Sequence, residues 1–267
     1  MQSFHDLLAG LADGIHRLRT DDGDQWFVKV RRHAPVDFFI AEARGLAALR
    51  AARALRVPEV IAVARDAIAL EDLGSGRPSG EHWRDAGQRL AQLHAARAAT
   101  FGFSGGGYCG DSAQDNSTDD DGFHFYGERR LLPQARRARD AGLFDPGSVR
   151  CVESLCARLR EMLPDLPPVL IHGDLWTGNL HACSGGELAL IDAGAVHHGW
   201  AECDLAMLTL FGEPPREFFS AYETAAGIDS AWRERAPLLN LYHLLNHLNL
   251  FGAGYLAGVR AVLDRFA

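Results

Sequence analysis

The 267-residue chain has no excess of basic residues, since 27 Lys and Arg stand against 35 Asp and Glu and the formal net charge is −8. Proteins that bind nucleic acids need clusters of Lys and Arg to neutralise backbone phosphates. The acidic balance therefore argues against nucleic acid as a partner, although a short basic patch remains at residues 136–139 (RRAR).

Long apolar segments are absent as well. No window reaches the roughly 18 uncharged apolar residues that cross a bilayer, and the first residues lack the basic segment and apolar core of a secretory signal. The five cysteines are scattered and form no C-x-x-C pair, which favours reduced thiols over a disulfide or zinc framework. These absences predict a cytoplasmic protein with no membrane partner.

The residues that are present predict a globular protein, because a hydrophobic content of 47% suffices for a core in a chain of this length. Two strand-like runs at 15–20 and 25–30 flank residues 21–24 (DDGD), a hairpin signal. An Ala- and Leu-rich stretch at 37–55 predicts a helix with Asp37 as its N-cap. Short strands are predicted at 59–64 and 68–71.

From residue 72 onward the pattern becomes mainly helical. Residues 72–76 (DLGSG) predict a linker, and helices are predicted at 81–99, 123–141, 146–163 and from 201 to the end. Residues 101–122, rich in Gly, Ser, Asp and Asn, predict a long and partly mobile surface loop. We therefore expect an α+β chain with a small β-rich N-terminal lobe (residues 1–73) and a larger, mainly helical C-terminal lobe (residues 74–267).

The most informative motif begins after an apolar run, with His172 and Asp174. Asn179 follows Asp174 by five positions, and a hairpin-like segment then leads to Asp192 and Gly194. These offsets match the H-R-D-x-x-x-x-N loop and the D-F-G motif of protein kinases. In kinases the first Asp orients the acceptor hydroxyl, and the Asn and the second Asp hold Mg²⁺ on the ATP phosphates. A lone H-G-D could be a simple turn, but the complete set predicts a phosphotransferase.

A lysine and a glutamate of the N-terminal part support this interpretation. Strand alternation puts Lys29 on one face of the apolar strand at 25–30, and Glu42 shares a helical stripe with apolar side chains. A buried carboxylate needs a cation, so we expect Lys29 to pair with Glu42, as in kinases, where such a pair positions ATP phosphates. The alternatives are a lysine reaching solvent and a glutamate at a rim.

Other residues leave two interpretations open. Trp176 could form a wall for a sugar or its amine substituent, or pack between lobes. His243 and His247 are spaced for a metal on one helix face, but no H-E-x-x-H pattern is present, so helix packing is favoured. His197 and His198 lie either near substrate or in a surface turn.

Several stretches resemble the fructosamine kinase (ketosamine-3-kinase) family. They are residues 170–179 (LIHGDLWTGN), 203–207 (CDLAM), 210–212 (LFG) and 241–255 (LYHLLNHLNLFGAGY). Residues 101–103 (FGF) and 57–60 (VPEV) are similar as well. The resemblance covers nearly the whole chain, and its H-G-D-L-W-x-G-N loop is more specific than the loop of aminoglycoside and choline kinases.

The resemblance implies a two-lobed protein-kinase-like fold and ATP-dependent phosphorylation of the 3-hydroxyl of ketosamines, which repairs glycated amines. It implies that Asp174 is the proton acceptor and that Asn179 and Asp192 bind Mg²⁺. Lys29 and Glu42 would be the pair that positions the ATP phosphates.

The same resemblance assigns residues to the adenine and the acceptor. Glu71, Asp72 and Leu73 would form the hinge that meets adenine, and His172 and Trp176 are expected on the substrate side. The acceptor would be a free or protein-bound ketosamine. The sequence leaves the preferred ketosamine and the oligomeric state open.

Two departures from the family pattern bear on function. Residues 10–14 (GLADG) replace the G-x-G-x-x-G loop that would cover the ATP phosphates. Asp192 is followed by residues 193–195 (AGA), where the family usually reads D-P-A. An aminoglycoside- or choline-type kinase and a nucleotide-binding pseudokinase are therefore kept as alternatives, although a pseudokinase has no need for all five kinase residues.

Overall fold

A four-stranded antiparallel sheet opens the fold, in the order β1-β2-β4-β3. The computed structural model describes residues 10–19 and 23–267, so part of the predicted turn at 21–24 lies outside the described residues. The elements of this region are β1 (Gly14–Arg19), β2 (Gln25–Val30), α1 (Phe38–Ala51), β3 (Val60–Val63) and β4 (Ala67–Glu71). The predicted strands and helix are confirmed, with shifts of a few residues at their ends.

Side chains of β2 alternate between two environments. Val28 and Val30 are buried with Ala67 and Ala69 of β4 in a small apolar cluster, whereas Lys29 points to the opposite face, toward α1. The two-residue period of a pleated strand produces this separation. The sheet therefore presents a lysine on the face that meets the rest of the protein.

Helix α1 buries one carboxylate together with its apolar stripe. Glu42 is 5% exposed and lies between Phe39 and Leu46, which are almost fully buried. The helical period that the sequence showed is thus confirmed.

Asp37 occupies the predicted N-cap position of α1, but its side chain does not cap the helix. That side chain instead accepts a hydrogen bond of 2.6 Å from the hydroxyl of Tyr108. A tertiary partner thus takes the oxygen that a local cap would have used.

The rest of the described chain is mainly helical, as expected. Its helices are α2 (Gly80–Leu93), α3 (Gly122–Tyr126), α4 (Leu132–Asp140), α5 (Pro146–Ala157), α6 (Leu159–Met162), α7 (Ala201–Met207), α8 (Arg216–Ala226), α9 (Trp232–Leu239), α10 (Leu241–Phe251) and α11 (Leu256–Phe266). Short antiparallel pairs join β5 (Gly107–Cys109) to β6 (Ser112–Gln114), β7 (Val169–Ile171) to β10 (His197–Gly199), and β8 (Leu180–Ala182) to β9 (Leu188–Leu190). Among the described residues, no helix has the length and apolar character needed to cross a membrane.

Backbone hydrogen bonds attach the sheet region to the helical part just after β4. The Ser184 amide donates to the Leu73 carbonyl at 3.0 Å, and the Gly76 amide donates to the Ala182 carbonyl at 3.0 Å. The β8–β9 hairpin therefore lies beside the predicted linker. The α+β fold with a small sheet lobe and a larger helical lobe is confirmed, while the boundary at residue 73 stays a prediction.

Residues 101–122 do not form the mobile surface loop that we expected. They contain the β5–β6 hairpin, and Ser112, Gln114 and Asn116 are all buried. Phe101 pairs with Asp119 through two backbone hydrogen bonds. The segment packs against the helical lobe through alternate buried side chains, and the residues between them are exposed or half-buried.

The reason for this difference is a buried arginine. Arg130 donates to the carbonyl of Asp115 at 2.8 Å and to Oδ1 of Asn116 at 2.5 Å, and its guanidinium lies over the Phe125 ring. Gln114 donates to the Tyr242 hydroxyl at 2.8 Å. Polar residues that indicate a solvated loop in sequence here form hydrogen bonds inside the protein.

The helix predicted at 123–141 is helical throughout but not regular. A π-helical turn, Gly127–Leu131, separates α3 from α4, and Pro133 lies at the start of α4. Proline has no amide hydrogen and disturbs the preceding helical turn. This irregularity lies where Arg130 turns inward.

Replacing Arg130 by Met should therefore loosen the 101–122 segment. The change leaves the Asp115 carbonyl and the Asn116 amide oxygen without their charged donor, which costs about 3 kcal/mol of unfolding free energy. Chemical denaturation and limited proteolysis at 101–122 would measure the loss. Arg136→Met on the exposed face of α4 is the matched control and should stay within about 0.5 kcal/mol of wild type; equal stability of the two variants would contradict the role of Arg130.

Candidate active site

The loop that follows β7 is anchored by a buried aspartate. The amides of His172 and Gly173 donate to the two carboxylate oxygens of Asp204, at 2.8 and 2.9 Å. Asp204 lies on α7 and has no exposed surface. One carboxylate therefore fixes two consecutive peptide groups directly before Asp174.

Asp204 keeps its negative charge although it is buried. Burial by itself raises the pKa of Asp204, but His94, whose Nε2 lies 3.3 Å away, and the amide of His172 outweigh it and hold the pKa below its usual range. His94 is held in turn by the Tyr222 hydroxyl at 2.8 Å. The anchor is thus a hydrogen-bonded network that reaches from α2 to α8.

His172 lies behind the site rather than in it. Its side chain has no exposed surface, and its Nε2 donates to the carbonyl of Ile191 at 2.7 Å. The ring therefore ties the loop after β7 to the residue before Asp192. This position argues against the substrate contact that we expected of His172.

Asp174 lies at the junction of two cavities. One of about 290 Å³ is shared with Lys29, Asn179 and Asp192. The other, of about 280 Å³, has several aromatic side chains in its wall and is called the aromatic cavity below. Burial raises the pKa of Asp174. Its carboxylate can therefore face both a nucleotide and an acceptor, and it is a stronger base than an exposed aspartate.

Asn179 and Asp192 are brought together by the β8–β9 hairpin. The Ile191 amide donates to the Asn179 carbonyl at 3.2 Å, and the Asn179 side chain donates to the Asp174 carbonyl at 2.8 Å. Asp192 has a left-handed backbone with φ 57° and ψ 52°, which costs a non-glycine residue about 1 kcal/mol. That conformation turns the Asp192 carboxylate into the cavity shared with Asp174 and Asn179.

The predicted pair of Lys29 and Glu42 is present. Lys29 Nζ donates to Glu42 Oε1 at 2.6 Å and also contacts the carboxylate of Asp192. Burial lowers the pKa of Lys29, but the charges of Glu42 and Asp192 outweigh it and raise that pKa. Lys29 therefore remains a cation, and it lines the cavity that it shares with Asp174 and Asn179.

Glycines in neighbouring elements allow the segment after Asp192 to pack closely against them. The turn Ala193–Ala195 is packed so closely that a Cβ added to Gly45 of α1 or to Gly173 would overlap one of its carbonyl oxygens. A Cβ added to Gly107 of β5 would lie 2.9 Å from another. The residues that depart from the family pattern are thus fitted between α1, β5 and the loop after β7, and this contact couples α1 to Asp192.

The two acidic side chains of the predicted hinge accept hydrogen bonds from neighbouring groups. The Glu71 side chain accepts from Arg56 and from the Glu59 amide, and the Asp72 carboxylate accepts from Arg17 Nε at 2.8 Å and from the Gly74 amide at 2.9 Å. Both acidic side chains therefore hold the local structure. A nucleotide base at this position would meet the hinge backbone rather than the carboxylates.

A cavity of about 380 Å³ lies beside this hinge. Its walls include Ile15, Phe27, Leu70 and Leu73, and Lys29 also lines it. A cavity with apolar walls and a cation fits a purine base and the phosphates that it carries. The same cavity is lined by Glu71, Asp72, His181, Ile191 and Asp192.

Trp176 borders the second cavity. Trp176 is 40% exposed. Its ring lies against Gly178, where a Cβ atom would overlap it, so this position needs glycine for the ring to adopt its place. The Trp176 side chain thus faces an open cavity near Asp174. This geometry favours a wall for substrate over packing between lobes.

An aromatic cluster completes that cavity. The ring of His247 lies 4.8 Å from Phe211, 5.2 Å from Phe251 and 5.1 Å from Tyr255, measured between centroids. His243, one turn earlier, is buried beside Asp174. His243 and His247 both make packing contacts, as expected from the sequence. His247 also lines the cavity.

Sequence reasoning missed the roles of two groups of residues. Asp204 could have been suspected, because a carboxylate inside the apolar run 203–207 needs a buried partner. Phe211, Phe251 and Tyr255 gave no such signal, because aromatic residues in helices are usually core. Here Phe251 is 65% exposed.

The sequence profile of fructosamine kinases matches residues 1–267. The chain belongs to the fructosamine kinase family. Among its relatives, a probable ketoamine kinase of Synechocystis is 38% identical over 244 residues, which is 88% of this chain and 80% of that protein. A chloroplastic protein-ribulosamine 3-kinase of Arabidopsis thaliana is 31% identical over 256 residues, covering 92% of this chain and 77% of the relative.

Solved structures agree with this family. A proposed fructosamine-3-kinase of Thermobifida fusca has a TM-score of 0.85 and 38% identity, with 94% of this chain and 88% of that chain covered. The ADP-bound aminoglycoside phosphotransferase APH(2'')-Ib has a TM-score of 0.60 at 15% identity, covering 98% and 96% of the two chains. The second likeness concerns the kinase-like fold alone.

Replacing Asp204 by Asn should loosen the loop that carries Asp174. An amide offers one acceptor oxygen where two backbone amides now donate, so we expect a loss of about 3 kcal/mol in unfolding free energy and at least a tenfold lower kcat. Thermal unfolding and steady-state kinetics would measure both. Asp140→Asn on exposed α4 is the control, and wild-type stability and kcat in Asp204→Asn would contradict the anchoring role.

Replacing Gly45 by Ala tests the coupling of α1 to Asp192. Alanine would stabilise an unobstructed helix by about 1 kcal/mol relative to glycine, but here its methyl group overlaps the backbone after Asp192. We therefore expect lower stability and a lower kcat. Gly258→Ala in α11 is the control, because its Cβ would meet the flexible end of Leu244; a Gly45→Ala protein as active and stable as wild type would contradict the coupling.

Proposed function

We propose that the chain transfers the γ-phosphoryl group of ATP to the 3-hydroxyl of a ketosamine. The observation that carries the proposal is the position of Asp174, which borders both the cavity with Lys29, Asn179 and Asp192 and the aromatic-lined cavity. Family membership supports the same reaction, since the relatives described above are named ketoamine and protein-ribulosamine 3-kinases.

ATP would lie in the slot beside the hinge. The adenine ring would pack between Ile15, Phe27 and Leu73 and bond to the hinge backbone, and the phosphates would point toward Lys29. Glu42 holds the Lys29 ammonium at 2.6 Å. Lys29 would thus exchange its contact with Asp192 for the phosphate oxygens without leaving Glu42.

The residues at the phosphate end fit Mg²⁺. Asn179 and Asp192 supply an amide and a carboxylate oxygen to one cavity, the hard donors that Mg²⁺ prefers, and Mg²⁺ keeps further positions for phosphates and water. When bound, the ion neutralises charge on the transferring phosphoryl group. The left-handed backbone at Asp192 and the turn behind it would keep the carboxylate in place.

Asp174 would orient the acceptor hydroxyl and accept its proton. As the acceptor oxygen bonds to the γ-phosphorus, the bond to the β-phosphate oxygen breaks, ADP leaves, and the hydroxyl proton passes to the Asp174 carboxylate. The raised pKa of Asp174 favours this transfer, since general bases act best when their pKa approaches the working pH.

The aromatic cavity would hold the amine end of the acceptor. A ketosamine carries one secondary ammonium group, and rings such as Trp176, Phe211 and Phe251 attract a single cation through their π faces. Asp174 is the carboxylate that lines this cavity among the described residues. A polycationic aminoglycoside would find too few acidic partners there.

Choline is an alternative acceptor that fits the aromatic cavity better than an aminoglycoside does, because aromatic rings also bind quaternary ammonium groups. A pseudokinase is disfavoured, since the lysine, glutamate, base, asparagine and second aspartate are all assembled around one cavity. Choline therefore belongs in any test of acceptors.

A cytoplasmic location remains part of the proposal. It is supported by the five cysteines, all of which are free, because reducing compartments keep thiols unpaired. The described relative from Arabidopsis thaliana is chloroplastic, so family membership alone does not fix the compartment.

The decisive experiment is an acceptor screen with ATP and Mg²⁺. We expect ADP release with fructosamine, ribulosamine or erythrulosamine acceptors, and little with kanamycin or choline, and NMR should locate the phosphate on O3 of the product. Asp174→Asn should lower kcat by at least a hundredfold, because loss of a general base typically costs 10² to 10⁴ in rate.

ATP binding supplies the control for that variant. Asp174→Asn should retain the ATP-dependent thermal shift of wild type, so that the loss is one of chemistry. Wild-type turnover in Asp174→Asn, or preferential phosphorylation of choline or kanamycin, would overturn the proposal. A protein that binds no ATP with or without Mg²⁺ would support the pseudokinase.

A further inference from the structure

Three side chains of different chemistry converge beside the catalytic loop. Cys109 ends β5, Asp174 follows β7 and His243 lies on α10. The His243 Nδ1 atom is 3.8 Å from Asp174 Oδ1 and 3.9 Å from Cys109 Sγ, and all three atoms lie within 4.8 Å of one another. The phosphoryl transfer described above uses only Asp174.

A sulfur, an imidazole nitrogen and a carboxylate oxygen are the donors that Zn²⁺ prefers. Zinc binds them at about 2.3, 2.0 and 2.1 Å in a tetrahedral arrangement, which places the donor atoms roughly 3.3 to 3.7 Å apart. The two distances from His243 exceed this range by a few tenths of an ångström, and the Cys109 and Asp174 donor atoms, within 4.8 Å of each other, would approach as the metal binds. Mg²⁺ takes oxygen donors instead, so this cluster differs in chemistry from Asn179 and Asp192.

The cluster is held in position by its surroundings. Asn246 donates to the Cys109 carbonyl at 3.1 Å, and His247 Nδ1 donates to the His243 carbonyl at 2.7 Å. Burial, with help from His247 and Arg130, lowers the pKa of His243 to about 3. His243 is therefore in its neutral, metal-binding form at physiological pH.

The cluster is also reachable from solvent. Cys109 and Asp174 both line the aromatic cavity of about 280 Å³, and the Asp174 side chain is 22% exposed. A fourth ligand, water or an acceptor hydroxyl, could approach from that cavity. A metal bound here would occupy the place where the acceptor meets Asp174.

We propose that Cys109, Asp174 and His243 form an inhibitory Zn²⁺ site that withdraws the Asp174 carboxylate from the acceptor. Binding forms a zinc–sulfur bond and releases the Cys109 thiol proton to solvent, with no redox change. Burial raises the pKa of Cys109, so this proton is still present before the metal binds. The binding site stands on geometry alone, whereas its inhibitory effect rests on the proposed role of Asp174.

Cobalt supplies a direct readout of the site in the full-length protein. Co²⁺ added without ATP or Mg²⁺ should produce a near-ultraviolet sulfur-to-cobalt charge-transfer band, which one equivalent of Zn²⁺ removes. Cys109→Ser and His243→Gln should both weaken the band at least tenfold in apparent affinity. Cys151→Ser, at an exposed position of α5, is the matched control and should leave the band unchanged.

Inhibition supplies the second readout. With saturating ATP and Mg²⁺, Zn²⁺ should inhibit ketosamine phosphorylation, more ketosamine should relieve the inhibition, and more ATP should not. Cys109→Ser should raise the inhibitory Zn²⁺ concentration at least tenfold, whatever its own basal rate.

The proposal is overturned by the absence of a Cys109-dependent cobalt band, by a band that persists in His243→Gln, or by Zn²⁺ inhibition that ATP relieves and Cys109→Ser leaves unchanged. A band without inhibition overturns the inhibitory role. Should the chain phosphorylate no ketosamine, the cobalt titration still decides the site. If Cys109→Ser unfolds, the cobalt titration is repeated with His243→Gln and Cys109→Ala.

Discussion

The buried ammonium of Lys29 is the interaction on which the site depends. It contacts Glu42 of α1 and Asp192 behind β9, so a single cation joins the sheet, its helix and the helical lobe. A buried carboxylate without this partner would cost several kcal/mol. The positions of α1 and Asp192 are therefore linked by charge, and the close approach of Gly45 to the turn after Asp192 links them again by packing.

The rest of the site is arranged around backbone that cannot move freely. Asp204 fixes the peptide groups before Asp174, and His172 ties the same loop to Ile191. The side chains that border the aromatic cavity are less tightly packed, and Phe251 among them is exposed. A fixed loop beside an open aromatic cavity is consistent with a kinase in which the fold supplies the phosphoryl-transfer residues and nearby side chains select the acceptor.

Patterns with a short period were readable from sequence. Strand alternation located Lys29, helical spacing located Glu42, and the offset of Asn179 from Asp174 identified the loop. The segment 101–122 was misread because composition reports polarity and not whether a partner such as Arg130 satisfies it inside the protein. That residues 71–73 form the hinge stays a prediction. The ion pairs of the Glu71 and Asp72 side chains with arginines left no signal in the sequence.

The sequence by itself determined the kinase-like fold and the family and predicted a set of candidate reactive residues, because these depend on spacing along the chain and on residue chemistry. Tertiary structure alone decided that Asp204 anchors the loop, that an aromatic cavity adjoins Asp174, and that Cys109 and His243 reach the same carboxylate. Asp204 is 31 and 32 positions away from the peptide groups that it holds, and Cys109 and His243 are 134 positions apart. No local period records a contact between such distant segments, since it arises only when the core brings their elements together.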